Sequence, residues 1–371
     1  MISHIRLRDF KGHRDTTVPL GRLTMLVGDN ASGKTSVLQA LELQAAMASP
    51  KARTAWHEPD DLLRRGAQDR FFLETFGVSQ GSSWQMTTTV TAPTPSTSVW
   101  TAYEEGKLGE RAFTRSLVWQ PDGGLFESRS TTGLDNPSEL KAHTGSARLY
   151  RLDGAQVAAP SLADEQSDVI ATDGSNTAKA LAGIKLDHDE IFLEIQSALG
   201  VLVPSIKGVR IKQVPTQAYG SDGTRATRTA YRIHLNLHGD QSIPADCASQ
   251  GTLIVLALLT ILHGPVRPNL LLLDDLDHAL HPRAQMELMR MLKGLLALPK
   301  FQDLQIVATT HSPYVLDELT PAEVHVFALR DDGTVASKCL SEHPDAAKVP
   351  DALRTGELWS LDPERDWVLS G

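Results

Sequence analysis

Nine consecutive residues, Gly28, Asp29, Asn30, Ala31, Ser32, Gly33, Lys34, Thr35 and Ser36, have the composition of a loop that holds phosphate. Glycines let successive backbone N–H groups turn inward around phosphate oxygens without a Cβ in the way. The apolar run before the loop predicts a strand, and the spacing of Val37, Leu38, Leu41 and Ala45 after it predicts an amphipathic helix. The N-terminus of such a helix adds partial positive charge. Lys34 has the length to reach β- and γ-phosphates, and the Thr35 hydroxyl can ligate Mg²⁺. A second stretch, Leu270–Leu273 followed by Asp274 and Asp275, is an apolar strand ending in two carboxylates. Parallel sheets place their ligands at that end of a strand. Asp274 is the expected second Mg²⁺ anchor, through a water because Mg²⁺ dehydrates reluctantly. Asp275 is placed to orient or deprotonate an attacking water. The chemistry predicted is binding and hydrolysis of a nucleoside triphosphate with Mg²⁺.

Two further segments extend that expectation. Thr310-His311-Ser312-Pro313 follows the strand-like stretch Gln305–Thr309. A histidine at a strand end is more often merely solvated, but a neutral imidazole there can hydrogen-bond a γ-phosphate oxygen or the attacking water. Its position after the two carboxylates favours that role. Ala248-Ser249-Gln250-Gly251-Thr252 leads into residues 253–262, a run apolar on all sides and too short to span a bilayer. Ser249 and Gly251 at its start make an anion-binding cup. Taken alone, the same residues also fit an ordinary capped helix.

The elements that must position these groups are visible in outline. Residues 70–76 and 84–90 pattern as strands, and 91–98 is a Pro/Ser/Thr break. Residues 99–103 and 113–119 continue the β character, and 121–138 predicts a long polar loop. One helical spacing runs through 176–202 at Ala180, Ile184, Ile191, Ile195 and Leu199. Tyr231, Ile233, Leu235 and Leu237 alternate as in an antiparallel strand. Lys207, Arg210 and Lys212, then Arg225, Arg228 and Arg232, flank a polar loop at 216–227. A solvated hairpin is the plainer reading of these cations, and a DNA-facing ridge the other. Asp331-Asp332-Gly333 predicts a turn, not a metal site.

In their order, these segments resemble the ATP-binding-cassette ATPases, and most closely the RecF/SMC/OLD-like branch of bacterial AAA-type ATPases. The residues that carry the resemblance are the opening Ile5-Arg6-Leu7-Arg8-Asp9-Phe10-Lys11-Gly12-His13, the glycine loop, Ser249-Gln250-Gly251-Thr252, residues 273–282, and Thr310-His311-Ser312-Pro313. Together they span about half of the chain, and its middle carries little of the likeness. The resemblance implies an α/β P-loop NTPase of ABC-ATPase type: a mostly parallel nucleotide-binding core with an antiparallel β lobe and a helical insert. It implies one head over 1–371, with sub-regions 1–60, 61–245, 246–330 and 331–371. It further implies that two heads sandwich two nucleotides, with Ser249 and Gly251 acting on the partner's γ-phosphate. Lys11 then belongs to the nucleotide site, and Gln156, in Arg151-Leu152-Asp153-Gly154-Ala155-Gln156, is the candidate metal-contacting glutamine, with other glutamines competing. Two departures stand out. Ala248 replaces the usual leucine, and Asp275 replaces the usual glutamate, one methylene shorter. An ångström of misplacement costs roughly a hundredfold in rate, so slow or partner-dependent turnover is expected.

The implied partners are a second copy, as a homodimer or higher oligomer, and a separately encoded effector, as in bacterial anti-phage systems. The competing expectations are a RecF-like DNA-binding repair ATPase, a transporter ATPase subunit and an adaptor that barely hydrolyses ATP. A formal net charge of −9 gives no overall electrostatic footprint for nucleic acid, though local basic clusters leave such binding possible. Two cysteines without metal-like spacing predict a reducing compartment. With no signal-like start and no apolar run of about eighteen residues, a cytoplasmic protein without membrane contact is expected. No sustained heptad pattern predicts long coiled-coil arms. The stretch after His311 is too short for a fused metal-dependent nuclease domain.

Overall fold

Every residue of the strand Leu23–Gly28 is buried, as an uninterrupted apolar run requires of a strand covered on both faces. It is the third of six strands in the order Val335–Cys339, Val324–Leu329, Leu23–Gly28, Gln305–Thr309, Leu270–Leu273 and Ala147–Tyr150. The pairings from Val324–Leu329 across to Leu270–Leu273 are parallel, and Val335–Cys339 joins antiparallel. The registers set Ala308 opposite both Met25 and Leu273. The C-terminal ends of three strands therefore share one edge, and the glycine loop, Asp274 and Thr310 leave the sheet there. The computed structural model describes all residues except 48–58, 80, 94–98, 110, 120–124, 133–146, 165–168, 220–224, 239–240, 265–266, 279 and 371.

A second sheet is antiparallel throughout. Its seven strands run in the order His13–Pro19, Ile2–Phe10, Arg70–Ser79, Ser82–Thr91, Thr101–Leu108, Arg111–Trp119 and Leu125–Thr132. The helix Lys34–Met47 shares one apolar core with both sheets. Val37, Leu38, Leu41 and Leu43 are buried with Ile5, Leu7, Phe71 and Trp84 of the antiparallel sheet, and with Leu26, Leu272 and Val307 of the parallel one. The helix is thus buried on more than one face, where its spacing had predicted a single apolar stripe. Its polar residue Gln44 is buried too, and its amide donates to the carbonyls of Met86 at 3.2 Å and Leu73 at 3.4 Å.

Beyond Gln44, the antiparallel sheet hides an ion pair. Arg115 and Glu104 face each other across adjacent strands with both side chains almost fully buried. The Arg115 guanidinium also donates to the Met47 carbonyl, at the end of the helix. A buried pair is strongly destabilised if one partner is lost. It ties the end of the glycine-loop helix to the sheet.

The chain divides into two units: Met1–Leu149, Asn269–Asp274 and Leu296–Gly371 form the first, and Tyr150–Pro268 with Asp275–Leu295 form the second. The expected sub-region 61–245 is shared between them. Within the second unit, Arg225–Leu237 pairs with Ile206–Tyr219, Ser161–Leu162 and Ser242–Pro244. Helices Thr177–Asp187, Asp189–Leu202 and Gln250–His263 also belong to it. From Thr252 to His263 every residue is buried, as the all-round apolar run predicted.

Three expectations change. The polar stretch 121–138 contains the edge strand Leu125–Thr132, and its other residues, 121–124 and 133–138, lie outside the described residues. The single helix expected over 176–202 is two helices, broken at His188, whose φ of −145° and ψ of 61° leave the helical region. The loop at 216–227 is narrower, because the hairpin strands continue to Tyr219 and resume at Arg225. Most of the Pro/Ser/Thr break, 94–98, lies outside the described residues.

Candidate functional site

The first unit carries the glycine loop, Asp274 and His311. Backbone conformation shapes the loop: φ is +133° at Gly28, +62° at Ala31 and +98° at Gly33. Left-handed residues in close succession turn N–H groups into a concavity that suits an anion. Gly28 is fixed by space as well, since a Cβ there would lie 2.1 Å from the Phe327 carbonyl oxygen. Asp29, Asn30 and Ala31 are exposed at the crest, while Ser32 is fully buried and its amide donates to the Asp29 carbonyl at 3.2 Å. Lys34 is buried, and its ammonium donates to the carbonyls of Gly28 and Asp29 at 2.8 Å each. Thr35 and Ser36 are half-buried in the first helical turn.

Below the loop lies a support that the motif did not announce. His13 is fully buried, with Nε2 3.1 Å from the Gly33 carbonyl, so that nitrogen must carry the donated proton. Burial pushes the His13 pKa down to about 4, with the Gly33 hydrogen bond opposing. The ring is therefore neutral at ordinary pH. Lys11, with φ of +50°, donates from Nζ to Gln39 Oε1 at 2.6 Å, and burial lowers the pKa of its ammonium. A polar cavity of about 460 Å³ adjoins it, lined by Lys11, Gly12, Asp60, Arg64, Arg65 and Thr334 among others.

Asp274 is buried and is the acceptor for two hydroxyls. Thr35 Oγ1 donates to Asp274 Oδ1 at 2.9 Å, and Thr309 Oγ1 donates to the same oxygen at 2.7 Å. Residues 239 positions apart are thus joined by a direct hydrogen bond. Thr309 was not singled out in the sequence; its place immediately before Thr310-His311 is the only signal. An all-oxygen pair of one hydroxyl and one carboxylate suits Mg²⁺, which keeps several waters and takes substrate phosphate oxygens. Among the described residues no cluster of three or more His, Cys, Asp or Glu side chains is arranged to hold a metal. Thr35 and Asp274 would hold Mg²⁺ together with the nucleotide, not unaided. His311 is exposed, in the turn after Gln305–Thr309.

Asp275, Ser249, Gly251 and Gln156 belong to the second unit. Asp275 has φ of +51°, an unfavourable conformation for a residue with a Cβ. Its Oδ2 accepts from Arg151 Nη2 at 2.5 Å. That ion pair spans 124 positions and had no sequence signal. Ser249 is the N-cap of Gln250–His263: its Oγ accepts from the Thr252 amide at 3.2 Å and lies 2.8 Å from Thr252 Oγ1. The capped-helix reading of this segment is therefore present, whatever else the residue does. Gly251 lines a cavity of about 230 Å³ with Ser249, Thr252, Leu280, Glu287 and Met291. Gln156 is exposed on the short helix Gly154–Ala158. Gly154 of that helix approaches Gln250 so closely that a Cβ would meet the Gln250 Cβ at 2.9 Å. The hairpin cations are partly neutralised, Arg228 by Asp164 and Arg232 by Asp246, the latter at 2.8 Å.

Residues 125–317, more than half of the chain, match the family described as "AAA domain, putative AbiEii toxin, Type IV TA system". Residues 1–63 match the family described as "AAA ATPase domain". A stretch of 52 residues is 40% identical to the DNA replication and repair protein RecF of Trichodesmium erythraeum (strain IMS101), covering 14% of this chain and 13% of that protein. An SMC head bound to the C-terminal winged-helix domain of ScpA is similar in structure, at a TM-score of 0.53 and 15% identity, over 94% of this chain and 99% of that one. An SMC head with an extended coiled coil, bound to the C-terminal domain of ScpA derived from Pyrococcus furiosus, gives a TM-score of 0.53 and 12% identity, over 94% and 98% of the two chains. Likeness at these identities shows the fold, which is that of an SMC-type head.

Proposed function

Since this chain belongs to the AAA-domain family matched over residues 125–317 and has the α/β fold of ABC-type ATPases of the RecF/SMC kind, we propose that it is an ATP-hydrolysing switch. Two copies close on two ATP molecules, and the closed form governs a separately encoded effector, as in an anti-phage system. The observation that carries this reading is the double hydroxyl contact at Asp274, from Thr35 and Thr309. A buried carboxylate held against the loop threonine is what a Mg²⁺-nucleotide site requires, and an ordinary capped strand end does not need it.

In this reading the amides of residues 30–35 and the Lys34 ammonium bind the phosphates. Mg²⁺, when bound, withdraws charge from the β- and γ-phosphate oxygens. Thr35 and Asp274 orient that ion's ligand sphere, Asp275 positions the attacking water, and His311 responds to the γ-phosphate. Ser249 and Gly251 meet the γ-phosphate held by the other copy, with the N-terminal field of Gln250–His263 behind them. Lys11 supports the nucleotide from the turn after the strand Ile2–Phe10, and Gln156 contacts the metal's water shell.

The test is steady-state ATP hydrolysis with Mg²⁺ varied. Asp274→Asn keeps an acceptor for both hydroxyls and loses the charge, so its Mg²⁺ requirement should rise by about tenfold or more. An unchanged Mg²⁺ dependence would remove Asp274 from the site.

A second reading, a RecF-like DNA-binding ATPase, is favoured by the 40% identity to RecF over 52 residues. Duplex DNA would then stimulate turnover, with a steep loss of the effect as salt rises.

A further inference from the structure

The turn that carries His311 is held from two sides. Upstream, the Thr310 amide donates to the Leu26 carbonyl at 3.2 Å, and Thr310 Oγ1 accepts from the Ser312 amide at 3.1 Å. Downstream, Ser312 Oγ accepts from the Tyr314 amide at 3.3 Å and opens the helix Pro313–Leu316. A helix of four residues has too few hydrogen bonds of its own to fix its direction. Its direction is set by what it packs against.

That neighbour comes from the far end of the sequence, in the helix Thr355–Trp359. Gly356 approaches so closely that a Cβ would lie 2.3 Å from the Pro313 carbonyl oxygen and 2.7 Å from Asp317 Oδ1. The Gly356 amide donates to Asp317 Oδ1 at 3.1 Å. The Thr355 hydroxyl, with the residue 1% exposed, donates to the Leu319 carbonyl at 2.5 Å. Burial raises the pKa of the Asp317 carboxyl, and Arg354 lies 3.7 Å from its other oxygen. Phosphate chemistry needs none of these contacts. Together they anchor the residues that follow Pro313–Leu316 and pack Gly356 against the Pro313 carbonyl at its start, and Pro313 is two residues from His311.

We propose that Thr355 and Gly356 are positioning residues for His311, forming a backstop behind Pro313–Leu316 that sets the imidazole at the strand end. The proposal rests on the part in turnover given to His311 above. Displacing the Pro313 carbonyl shifts the turn, and an ångström of misplacement at a catalytic group costs roughly a hundredfold in rate. The C-terminal segment is then a component of the hydrolytic site without touching nucleotide.

A double-mutant cycle on the full chain tests this, with ATP turnover and ATP affinity measured separately. Gly356→Ala should lower turnover about tenfold or more while ATP affinity stays within about twofold. In a His311→Ala background the same substitution should add no further loss. Thr355→Val keeps the shape without the hydroxyl and should show a smaller loss in the same direction, with Thr355→Ser restoring turnover. That pair keeps the test informative if Gly356→Ala does not fold. An equal loss from Gly356→Ala with and without His311, or wild-type turnover in both Gly356→Ala and Thr355→Val, overturns the proposal. Wild-type turnover of His311→Ala alone would overturn the role given to His311, and this inference with it.

Discussion

The glycine loop in the first unit and the Asp275 and Ser249 groups in the second are built in opposite ways. Main chain and burial make the loop. Gly28 is fixed by the Phe327 carbonyl, Gly33 rests on a buried histidine, and Asp274 is buried between two threonine hydroxyls. The groups in the second unit are side chains, half-buried at Asp275 and exposed at Ser249, that are already engaged. Asp275 is paired to an Arg151 whose side chain is 65% exposed, and Ser249 caps its own helix. The backbone of such a loop is pre-organised for its ligand, and only the Lys34 ammonium has to leave the Gly28 and Asp29 carbonyls to reach it. A carboxylate and a hydroxyl held by exchangeable neighbours must be released before they can act, which suits a step that awaits a second copy.

The sharpest break in this contrast is at the loop. Lys34→Ala removes a buried cation whose charge no other residue of the loop replaces, so ATP affinity should fall by about a hundredfold or more. Isothermal titration with ATP and Mg²⁺ measures it. Wild-type affinity would show that the loop is not the site.

A second prediction concerns acid. Burial holds the pKa values of His13 and His325 at about 4, below their ordinary value of 6.5. The unfolded chain therefore binds more protons between those values. The stability they represent is complete above about pH 6.5, declines as pH falls towards 4, and comes to about 3 kcal/mol for each ring. Urea unfolding at pH 7 and pH 5 should show wild type losing more than His13→Gln over that interval. Equal losses would mean the ring is not neutral and buried as described.

Arg151→Ala should have the smallest effect on the fold, because an exposed ion pair contributes about 1 kcal/mol or less. Its effect on turnover should be a gain of a few-fold, as Asp275 is released. A loss of turnover would mean that Arg151 supports the chemistry and does not restrain it.

The same contrast explains what could be seen in the sequence. Strand, loop and helix around Gly28 are continuous in the chain, and the chemistry is carried by backbone. Residue types alone therefore disclosed them, as they did Leu270–Asp274 and the buried helix Gln250–His263. Contacts across long separations were not visible: Thr309 to Asp274 can be found only once the strands are in register. The strand Leu125–Thr132, with its Glu, Arg, Ser and Thr residues, passed for a loop because an edge strand need not alternate. Arg115 and Glu104 are residue types expected at the surface, yet they lie on the buried faces of their strands, Arg115 with Phe113, Leu117 and Trp119, where they pair with each other and Arg115 meets the end of the helix Lys34–Met47. His188 breaks a helix whose apolar spacing runs on past it, since periodicity records which face is buried and not where the backbone turns.

The central claim, a switch that closes as a pair on ATP, is tested most directly by the molar mass of Asp275→Asn. Light scattering with and without ATP and Mg²⁺ gives that mass, and equilibrium binding on the same sample confirms that ATP is held. The variant should bind ATP, hydrolyse little of it, and double its mass when ATP is present. An ATP-saturated Asp275→Asn chain that keeps its nucleotide-free mass would contradict the account.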